Sequence, residues 1–491
     1  MFSPNAERSV GSKDLGGPFS LSETTSDPSN VQAAVTLPSG PRYGRPSDRF
    51  GPPTVLFNEA LALLKYSFDH LDRLEPPPHI LGAAFRFATK AASFYETEVI
   101  RARVLQDDLK SLLGENVEWE KSIAGETAKL DGVWFEGSFA YMILELKNEP
   151  GLGGDPFLQG LTAYGKIIST KVPFPSPIGG PATNLHLQYS DYITRSNFPV
   201  ILLGIAGNVL TVSTAIYTNA VYANTLLLME LNFGLHASEN VLRVARVFSA
   251  MSECTRKLTH HYKSLKTVSG IHPGVMYPSP TADPPGTEIP PLEFISKLDR
   301  LTGTQLATVN ADNELHAIYF AKLPSTEVVL VKFTPRYNEL AHRLLANHRP
   351  PLAPALYSCS RVIGDLYMVV MEYKSDASPL HRFFPPFGLP YLPKAEVVRA
   401  ELTNALELLH REDLVFGDLR QMNILYSHQG DRVFLVDFDW VGKDGETHYP
   451  ACLNPDLGLN VGRWQLMEKG HDHPNLGRVM DRLSEKLMSK S

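Results

Sequence analysis

Residues Leu414–Leu425 read LVFGDLRQMNIL, and this stretch decides how the second half of the chain is interpreted. It places Asp418 directly after an apolar run, and Asn423 follows five residues later, just before the chain becomes apolar again. Asp437 lies 14 residues beyond Asn423 and directly follows the apolar run Phe434–Val436. Asp and Asn are common in ordinary turns, so each position alone says little. Their shared setting beside apolar, strand-like segments makes all three candidate site residues.

Segments on either side of this stretch give it a context. Residues Val328–Phe333 read VVLVKF, a β-branched run typical of a buried strand. Lys332 is the one charged residue in that run, and a buried ammonium is costly unless it is paired, so we expect a partner for it. The spacing of apolar residues predicts a helix over 337–345, a strand over 366–371 and a helix over 395–410.

The order of these segments resembles the protein-kinase-like superfamily, and fungal kinase-like proteins in particular. Phosphoryl transfer needs the phosphate charge neutralised and the acceptor hydroxyl placed in line. The resemblance implies that Asp418 accepts the proton of that hydroxyl, while Asn423 and Asp437 hold Mg²⁺ against the phosphates. It also implies that Lys332 binds the α- and β-phosphates of ATP, with Glu339 as its ion-pair partner.

The same resemblance assigns the remaining parts of a nucleotide site. Met371 and Tyr373, at the end of the strand predicted over 366–371, are the expected hinge that meets adenine. Arg420 takes the place of the lysine that follows the catalytic Asp in protein kinases, so it is a further catalytic candidate. ATP and Mg²⁺ are therefore the expected cofactors, and the expected fold of this half is bilobal.

Several features depart from ordinary protein kinases. Phe416-Gly417-Asp418 replaces the His-Arg-Asp triplet, which is closer to the antibiotic- and choline-phosphotransferase variant of the fold. Asp439 replaces the Gly of the Asp-Phe-Gly motif, and no glycine-rich phosphate loop precedes Lys332. Only 52 residues follow Asp439, so we expect a short C-terminal lobe. Two alternatives stay open: a small-molecule phosphotransferase and a non-catalytic nucleotide-binding scaffold.

The first half of the chain contains a second candidate site. Residues Lys129–Phe135 and Phe139–Lys147 are strand-like runs separated by a short turn with a Gly, which predicts a β-hairpin. Glu145 and Lys147 lie two residues apart, so they share one face of the second strand. Asp131 lies on the first strand, where it is a candidate neighbour of both.

An Asp, a Glu-x-Lys triplet and a Gln on the following helix resemble the restriction-endonuclease-like fold, an α/β/α architecture. The resemblance implies that Asp131 and Glu145 bind Mg²⁺, which activates a water and neutralises the scissile phosphate. Lys147 would orient that water, Gln159 would contact the substrate or the site, and Glu98 is a candidate extra ligand. A second Glu-x-Lys occurs elsewhere in the chain, so the triplet alone proves nothing. The alternative is a half-buried strand with a solvated, charged face.

Composition divides the chain into segments. Residues 1–52 are rich in Ser, Pro and Gly, and we expect a disordered tail there. Seven prolines fall between Pro273 and Pro291, and proline interrupts both helices and sheets. We therefore expect an α+β chain of two domains: a restriction-endonuclease-like domain at 53–270, a proline-rich linker at 271–291 and a protein-kinase-like domain at 292–491.

Charge and cysteine content exclude several classes of protein. The net charge is −7, and it spreads evenly. Residues 53–270 carry 19 Lys and Arg against 21 Asp and Glu, and residues 292–491 carry 22 against 25, so the nets are −2 and −3. Neither half is a basic nucleic-acid binder overall, and nucleic acid is a candidate partner only through the Glu-x-Lys site. Three cysteines are too few for a disulfide scaffold.

Two further observations bear on location. The first residues show no basic stretch followed by an apolar core, so we expect no signal peptide and an intracellular protein, in the cytoplasm or nucleus. The apolar stretch 199–228 contains Gly207-Asn208, a turn dipeptide between β-branched flanks. It predicts a buried β-hairpin, and we expect no transmembrane segment and no membrane partner.

The main hypothesis is an ATP- and Mg²⁺-dependent phosphotransferase that acts on Ser or Thr hydroxyls of a protein substrate. The rival from another class is a Mg²⁺-dependent DNA nuclease whose kinase-like domain is regulatory. A fusion of these two modules is loosely similar to crinkler-type effector proteins of fungi.

Overall fold

A computed structural model shows an α+β protein with several sheets. It describes residues 51–123, 128–151, 153–171, 195–218, 220–232, 234–265, 273–299, 304–305, 317–384, 387, 389, 392–454, 457–459 and 461–488. The tail predicted at 1–52 lies outside the described residues apart from its last two. Within the part of the chain that the structure describes, no helix combines the length and the hydropathy needed to cross a bilayer.

The elements up to residue 264 build one mixed sheet with helices packed on it. In chain order they are α1 Glu59–Asp69, α2 Pro78–Ala91, α3 Glu98–Leu113, β1 Val117–Ile123, β2 Ala128–Glu136, β3 Phe139–Lys147, α4 Pro156–Lys171, β4 Val200–Ala206, β5 Val209–Tyr217, β6 Val221–Glu230 and α5 Ala237–Ser264. The six strands lie side by side in sequence order. All neighbours are antiparallel except β3 and β4, whose parallel pairing needs the crossover that contains α4.

Both hairpins predicted in this half are confirmed. Strands β2 and β3 pair around Gly137, and β4 and β5 pair around Gly207-Asn208. Gly207 has φ +53°, in the left-handed region that such tight turns need. A hydrogen bond from Leu231 N to Asn208 O, 2.7 Å long, ties this turn to the end of β6.

The helical stretch between Pro78 and Leu113 is interrupted, because α2 ends at Ala91 and α3 begins at Glu98. The side chain of Thr97 caps α3 by accepting from Ile100 N at 3.3 Å. The buried guanidinium of Arg101 donates to the Ala91 carbonyl at 2.7 Å, which satisfies the end of α2. Asn58 caps the start of α1, because its side chain accepts from Ala60 N and Leu61 N.

The second half forms a sheet, a helical region and two small sheets. In chain order its elements are β7 Glu293–Asp299, β8 Thr304–Gln305, β9 Ile318–Lys322, β10 Val328–Thr334, α6 Glu339–Asn347, β11 Leu356–Val362, β12 Leu366–Glu372, β13 Ala377–Pro379, α7 Ala395–Arg411, β14 Leu414–Val415, β15 Ile424–Ser427, β16 Arg432–Leu435, β17 Gly442–Lys443 and α8 Asp472–Met488. The larger sheet has the order β11-β12-β10-β9-β7-β8. The predicted strands over 328–333 and 366–371 and the predicted helix over 395–410 are confirmed.

Two large apolar cores organise the molecule. The first contains Trp134 and its neighbours in the N-terminal sheet, and it continues into Tyr319, Val331 and Met368 of the second sheet. The second core lies around α7 and α8 and includes Ala341 and Leu345 of α6. The second sheet is therefore covered on one face by the first half of the chain.

The proline-rich segment lies between these parts. Ser279 N donates to Leu56 O at 2.7 Å, and Ile363 N donates to Thr281 O at 2.9 Å, so the segment is bonded to both halves. The domain boundaries at 53–270, 271–291 and 292–491 stay a prediction.

Candidate functional site

Lys332 lies in the middle of β10, on the face of the sheet turned away from the first core. Its ammonium contacts Asp437 Oδ1 at 2.6 Å and Asp439 Oδ2 at 2.7 Å. Burial opposes the charged form, but the two carboxylates outweigh it, so the pKa of Lys332 is raised above its ordinary value. The expected acidic partner therefore exists, but both partners lie on the loop after β16.

The predicted ion pair between Lys332 and Glu339 is wrong in this structure. Glu339 is the first residue of α6, and its Oε1 accepts from Arg343 Nε at 2.8 Å, one turn along the same helix. Asn338 orients the helix, because its Oδ1 accepts from Ala341 N at 3.0 Å and its backbone N donates to Phe438 O at 3.2 Å. Anchored in this way, α6 presents Glu339 to Arg343 instead of to β10.

Asp418 lies in the turn after β14 and is almost fully buried. It forms a two-pronged ion pair with Arg420, whose Nη2 donates to Oδ2 at 2.6 Å. Asn423 Nδ2 donates to Asp418 Oδ2 at 2.8 Å and to its backbone carbonyl at 2.9 Å. Burial raises the pKa of Asp418, while the hydrogen bond from Arg420 acts in the opposite direction. A carboxylate with a raised pKa is a better proton acceptor.

A buried carboxylate that the sequence did not single out holds this turn. Asp472, the first residue of α8, accepts from Phe416 N and Gly417 N, both at 2.9 Å, and lies 2.9 Å from His410 Nε2. Gly417 has φ +77°, and a Cβ there would lie 2.3 Å from Met467 Cε. The one signal for Asp472 is an acid opening an amphipathic helix, which by itself indicates only a favourable helix-dipole contact.

The loop that carries Asp437 is fixed from two sides. Val436 N donates to Asn423 O at 3.0 Å, which joins this loop to the turn of Asp418. The ring of Phe438 stacks on the His342 ring of α6, with ring centroids 4.6 Å apart. Asp437 itself has φ +70°, a strained conformation of the kind that surrounding structure imposes at functional sites.

The predicted nucleotide-site residues line one cavity between the second sheet and the helical region. Its wall comprises Leu298, Ile318, Leu330, Lys332, Pro354, Met371, Glu372, Tyr373, Lys374, Ala377, Pro379, Met422, Asn423, Leu425, Val436 and Asp437. The residues predicted to contact nucleotide and metal, Lys332, Met371, Tyr373, Asn423 and Asp437, are all among them. Asp418 is connected to this cavity through its hydrogen bond to Asn423.

The second Glu-x-Lys of the chain lies in the wall of this cavity as an ion pair. Lys374 Nζ contacts Glu372 Oε1 at 2.6 Å, and Glu372 Oε2 accepts from Ala355 N at 3.0 Å. Both residues are therefore partnered within the strand end and its neighbours. The Glu and Lys of this triplet therefore pair with each other, whereas Lys147 of the triplet on β3 contacts Glu98.

The first Glu-x-Lys site is buried. Glu145 and Lys147 are 5% and 7% exposed, which overturns the alternative of a solvated strand face. Asp131 lies beside them, because its Oδ2 accepts from Leu146 N at 2.7 Å. Glu98, at the start of α3, contacts Lys147 Nζ through Oε2 at 3.4 Å. Four of the predicted residues therefore come together.

Burial sets the electrostatics of this site. It raises the pKa of Glu145 well above its ordinary value, and the nearby Asp131 carboxylate raises it further. The pKa of Asp131 is also raised, again mainly by burial. Two carboxyls with raised pKa values thus lie beside a buried lysine at the edge of the apolar core.

The segment before α4 closes over this group. Gln159 Nε2 donates to Gly153 O at 3.1 Å, and Gly153 has φ +74°. This left-handed conformation favours glycine, and a Cβ at Gly153 would also lie 2.8 Å from Glu98 Oε1. Gln159 thus supports the loop beside the site. Among the described residues, no group of three or more His, Cys, Asp or Glu is arranged to hold a metal ion.

Comparison with known proteins adds little to this geometry. No family model matches the chain. One solved structure that the chain is similar to is a kinase of Cydia pomonella granulovirus, with 20% sequence identity, a TM-score of 0.30, and coverage of 39% of this chain and 67% of that chain. A likeness at this level does not by itself establish a fold, so the interpretation rests on the residues and the topology of the site.

The raised pKa of Glu145 leads to a stability prediction. Below about pH 4.3, where an exposed Glu titrates, both folded and unfolded chains carry the proton. As the pH rises further, the unfolded state loses its proton first, so the wild type loses stability until the folded pKa is passed. We expect Glu145→Gln to raise the melting temperature by about 2–4 °C at pH 8 and by less at pH 5, measured by scanning calorimetry.

Glu118→Gln is the matched control, because Glu118 is an exposed Glu on β1 of the same sheet. It should shift the melting temperature little at either pH. An equal shift at pH 5 and pH 8 for Glu145→Gln would contradict a raised pKa at this position.

Proposed function

We propose that the chain is an ATP- and Mg²⁺-dependent phosphotransferase of protein-kinase-like fold that phosphorylates Ser or Thr hydroxyls of a protein. One observation carries the proposal: Lys332, Asn423 and Asp437 line a single cavity, and Asp418 is hydrogen-bonded to one of them. These residues come from β10, the turn after β14 and the loop after β16, so only the folded chain unites them.

The residues at the cavity fit a bound Mg²⁺. Asn423 uses its amide nitrogen on Asp418, which leaves its side-chain oxygen, and Asp437 offers a carboxylate. Carboxylate and amide oxygens, together with substrate phosphates, are the ligands that Mg²⁺ takes in such sites. When bound, the ion would neutralise phosphate charge.

The remaining roles are inferred from position and charge. Lys332 would bind the phosphates of ATP through its ammonium. Asp418 would accept the proton of the acceptor hydroxyl, and its raised pKa suits that task. Arg420 neutralises Asp418 here, and its guanidinium would supply positive charge to the transferred phosphoryl group. Met371 and Tyr373 would contact the adenine ring from the wall of the cavity.

The acceptor has a competing class. Gly417 before Asp418 is similar to the pattern of small-molecule phosphotransferases, so a small hydroxyl compound is the alternative acceptor. A scaffold that binds nucleotide without turnover is the other alternative. Both alternatives keep the nucleotide cavity, and they differ from the proposal only in the fate of the bound nucleotide.

The test is ATP turnover by the full chain with Mg²⁺ and a mixed protein substrate. We expect Asp418→Asn and Asp437→Asn to reduce the rate by about 10³-fold or more, because each removes a group needed in the transition state. Phosphate transfer is followed with γ-labelled ATP.

Asp365→Asn is the control, since Asp365 is an exposed aspartate on the turn between β11 and β12. It should retain the wild-type rate. Equal rates in the wild type and both site variants would show that these residues do not catalyse the reaction. Labelled small molecule without labelled protein would favour the alternative acceptor.

A second function is favoured by the buried carboxylate group of the first half. Glu145 and Lys147 are buried beside the partly buried Asp131, and burying such charged groups costs free energy that a purely structural site has little reason to spend. We infer a Mg²⁺-dependent nuclease, with DNA as the substrate and the kinase-like half as its regulator. Asp131 and Glu145 would supply oxygen ligands, and Lys147 would orient the attacking water.

Nicking of supercoiled plasmid by the full chain with Mg²⁺ tests this function. We expect Glu145→Ala and Lys147→Ala each to slow nicking by about 10²-fold or more, because each removes a group at the scissile phosphate. The matched controls are Glu118→Ala and Lys121→Ala, an exposed Glu–Lys pair on β1. Nicking that is equally fast in all four variants would rule out the site.

A further inference from the structure

We propose that Asp439 is the positioning residue for Lys332, in the place that Glu339 was expected to fill. This inference rests on the proposed phosphotransferase function and names the residue that holds the phosphate-binding lysine in line. Asp439 stands where the Asp-Phe-Gly motif has its glycine, and this inference gives that substitution a function: positioning Lys332.

The contacts at Asp439 bind it to the strand of Lys332. Asp439 Oδ2 lies 2.7 Å from Lys332 Nζ and accepts from Thr334 Oγ1, also at 2.7 Å. Thr334 is buried and lies two residues after Lys332, so both side chains share one face of β10. One strand thus carries the lysine and also the hydroxyl that fixes its counter-ion.

Glu339 does not take this role in the structure: it is bonded to Arg343, and the start of α6 is tied to the loop that carries Asp439. Asn338 donates from its backbone to Phe438 O at 3.2 Å and from Nδ2 to Val441 O at 3.3 Å, on either side of Asp439 in the chain. The start of α6 is therefore bonded to the same loop that carries Asp439. A swing of α6 that brought Glu339 to Lys332 would have to pull this loop with it.

Lys332 needs the carboxylate of Asp439 because that of Asp437 is also the proposed metal ligand. A bound Mg²⁺ would compete with Lys332 for the oxygens of Asp437. Asp439 would then keep the ammonium in place while Asp437 held the metal. Without Asp439, Lys332 would bind Asp437 alone and compete directly with the ion.

One observation favours a different role and must be separated from this one. Asp439 Oδ1 is buried and has no hydrogen-bond partner among the described residues. An oxygen that binds a metal ion would also lack a hydrogen-bond partner when the ion is absent. A positioning residue acts only through Lys332, whereas a metal ligand acts regardless of it. A double-mutant cycle distinguishes the two.

The experiment measures the affinity of the full chain for a fluorescent ATP analogue with Mg²⁺, in the wild type, Asp439→Asn, Lys332→Ala and the double variant. We expect Asp439→Asn to weaken binding about tenfold in the wild-type background and less than about twofold when Lys332 is already Ala. Asp439→Glu should restore part of the loss, and Glu339→Gln should change the affinity less than about twofold.

Each other outcome overturns the inference. An equal loss in both backgrounds assigns Asp439 to the metal, and tighter binding in Asp439→Asn shows that it merely repels phosphate. A larger effect of Glu339→Gln than of Asp439→Asn returns the role to Glu339. If the wild type does not bind nucleotide, both the proposed function and this inference fail. If the wild type binds nucleotide but the effects of Asp439→Asn and Lys332→Ala are additive, only this inference fails.

Discussion

The buried ammonium of Lys332 is the constraint on which the cavity depends. A lone charge at the centre of a sheet is costly, and its cost is offset here by two carboxylates from one loop. The ion pairs hold the sheet to the loop after β16, and Asn423 holds that loop to the turn of Asp418. The polar residues of the cavity thus form one connected network across the gap between the sheet and the helical region.

The elements that carry this network pack into two different apolar cores. The second sheet shares a core with the N-terminal half, whereas α6 shares a core with α7 and α8. Glu339 bonds to Arg343 within its own helix, and Arg343 also donates to Leu356 O on β11. The counter-ion of Lys332 comes instead from the loop after β16.

Local sequence patterns were enough to predict several strands, two hairpins and most of the candidate site residues. Alternation and turn residues predicted the hairpins of β2–β3 and β4–β5, and apolar segments before Asp418 and Asp437 marked both as candidate site residues. Glu339 was misassigned because helical spacing does not tell which neighbour a helix is anchored to. Asp472 was missed because it lies 54 residues after Asp418, and only the fold brings its carboxylate to that turn.

The burial of Glu145 and Lys147 could not be predicted from the sequence. A Glu and a Lys alternating with leucines are typical of a half-exposed strand, yet the loop around Gly153 and helix α4 enclose Glu145 and Lys147. That enclosure depends on a crossover from β3 to β4, which pairs residues far apart in the chain. The two candidate sites thus differ in exposure: one lines a cavity, and the other is a cluster in which Glu145 and Lys147 are buried while Asp131 and Glu98 are partly exposed.

A calorimetric titration of the full chain with ATP, with and without Mg²⁺, decides whether this cavity is a nucleotide site. The arrangement of Lys332, Asn423 and Asp437 predicts that ATP binds and that Mg²⁺ tightens binding by about tenfold or more, since the ion neutralises the phosphates. In Asp437→Asn the effect of Mg²⁺ should disappear. No binding of ATP, or an effect of Mg²⁺ that survives in Asp437→Asn, would contradict the assignment of this cavity.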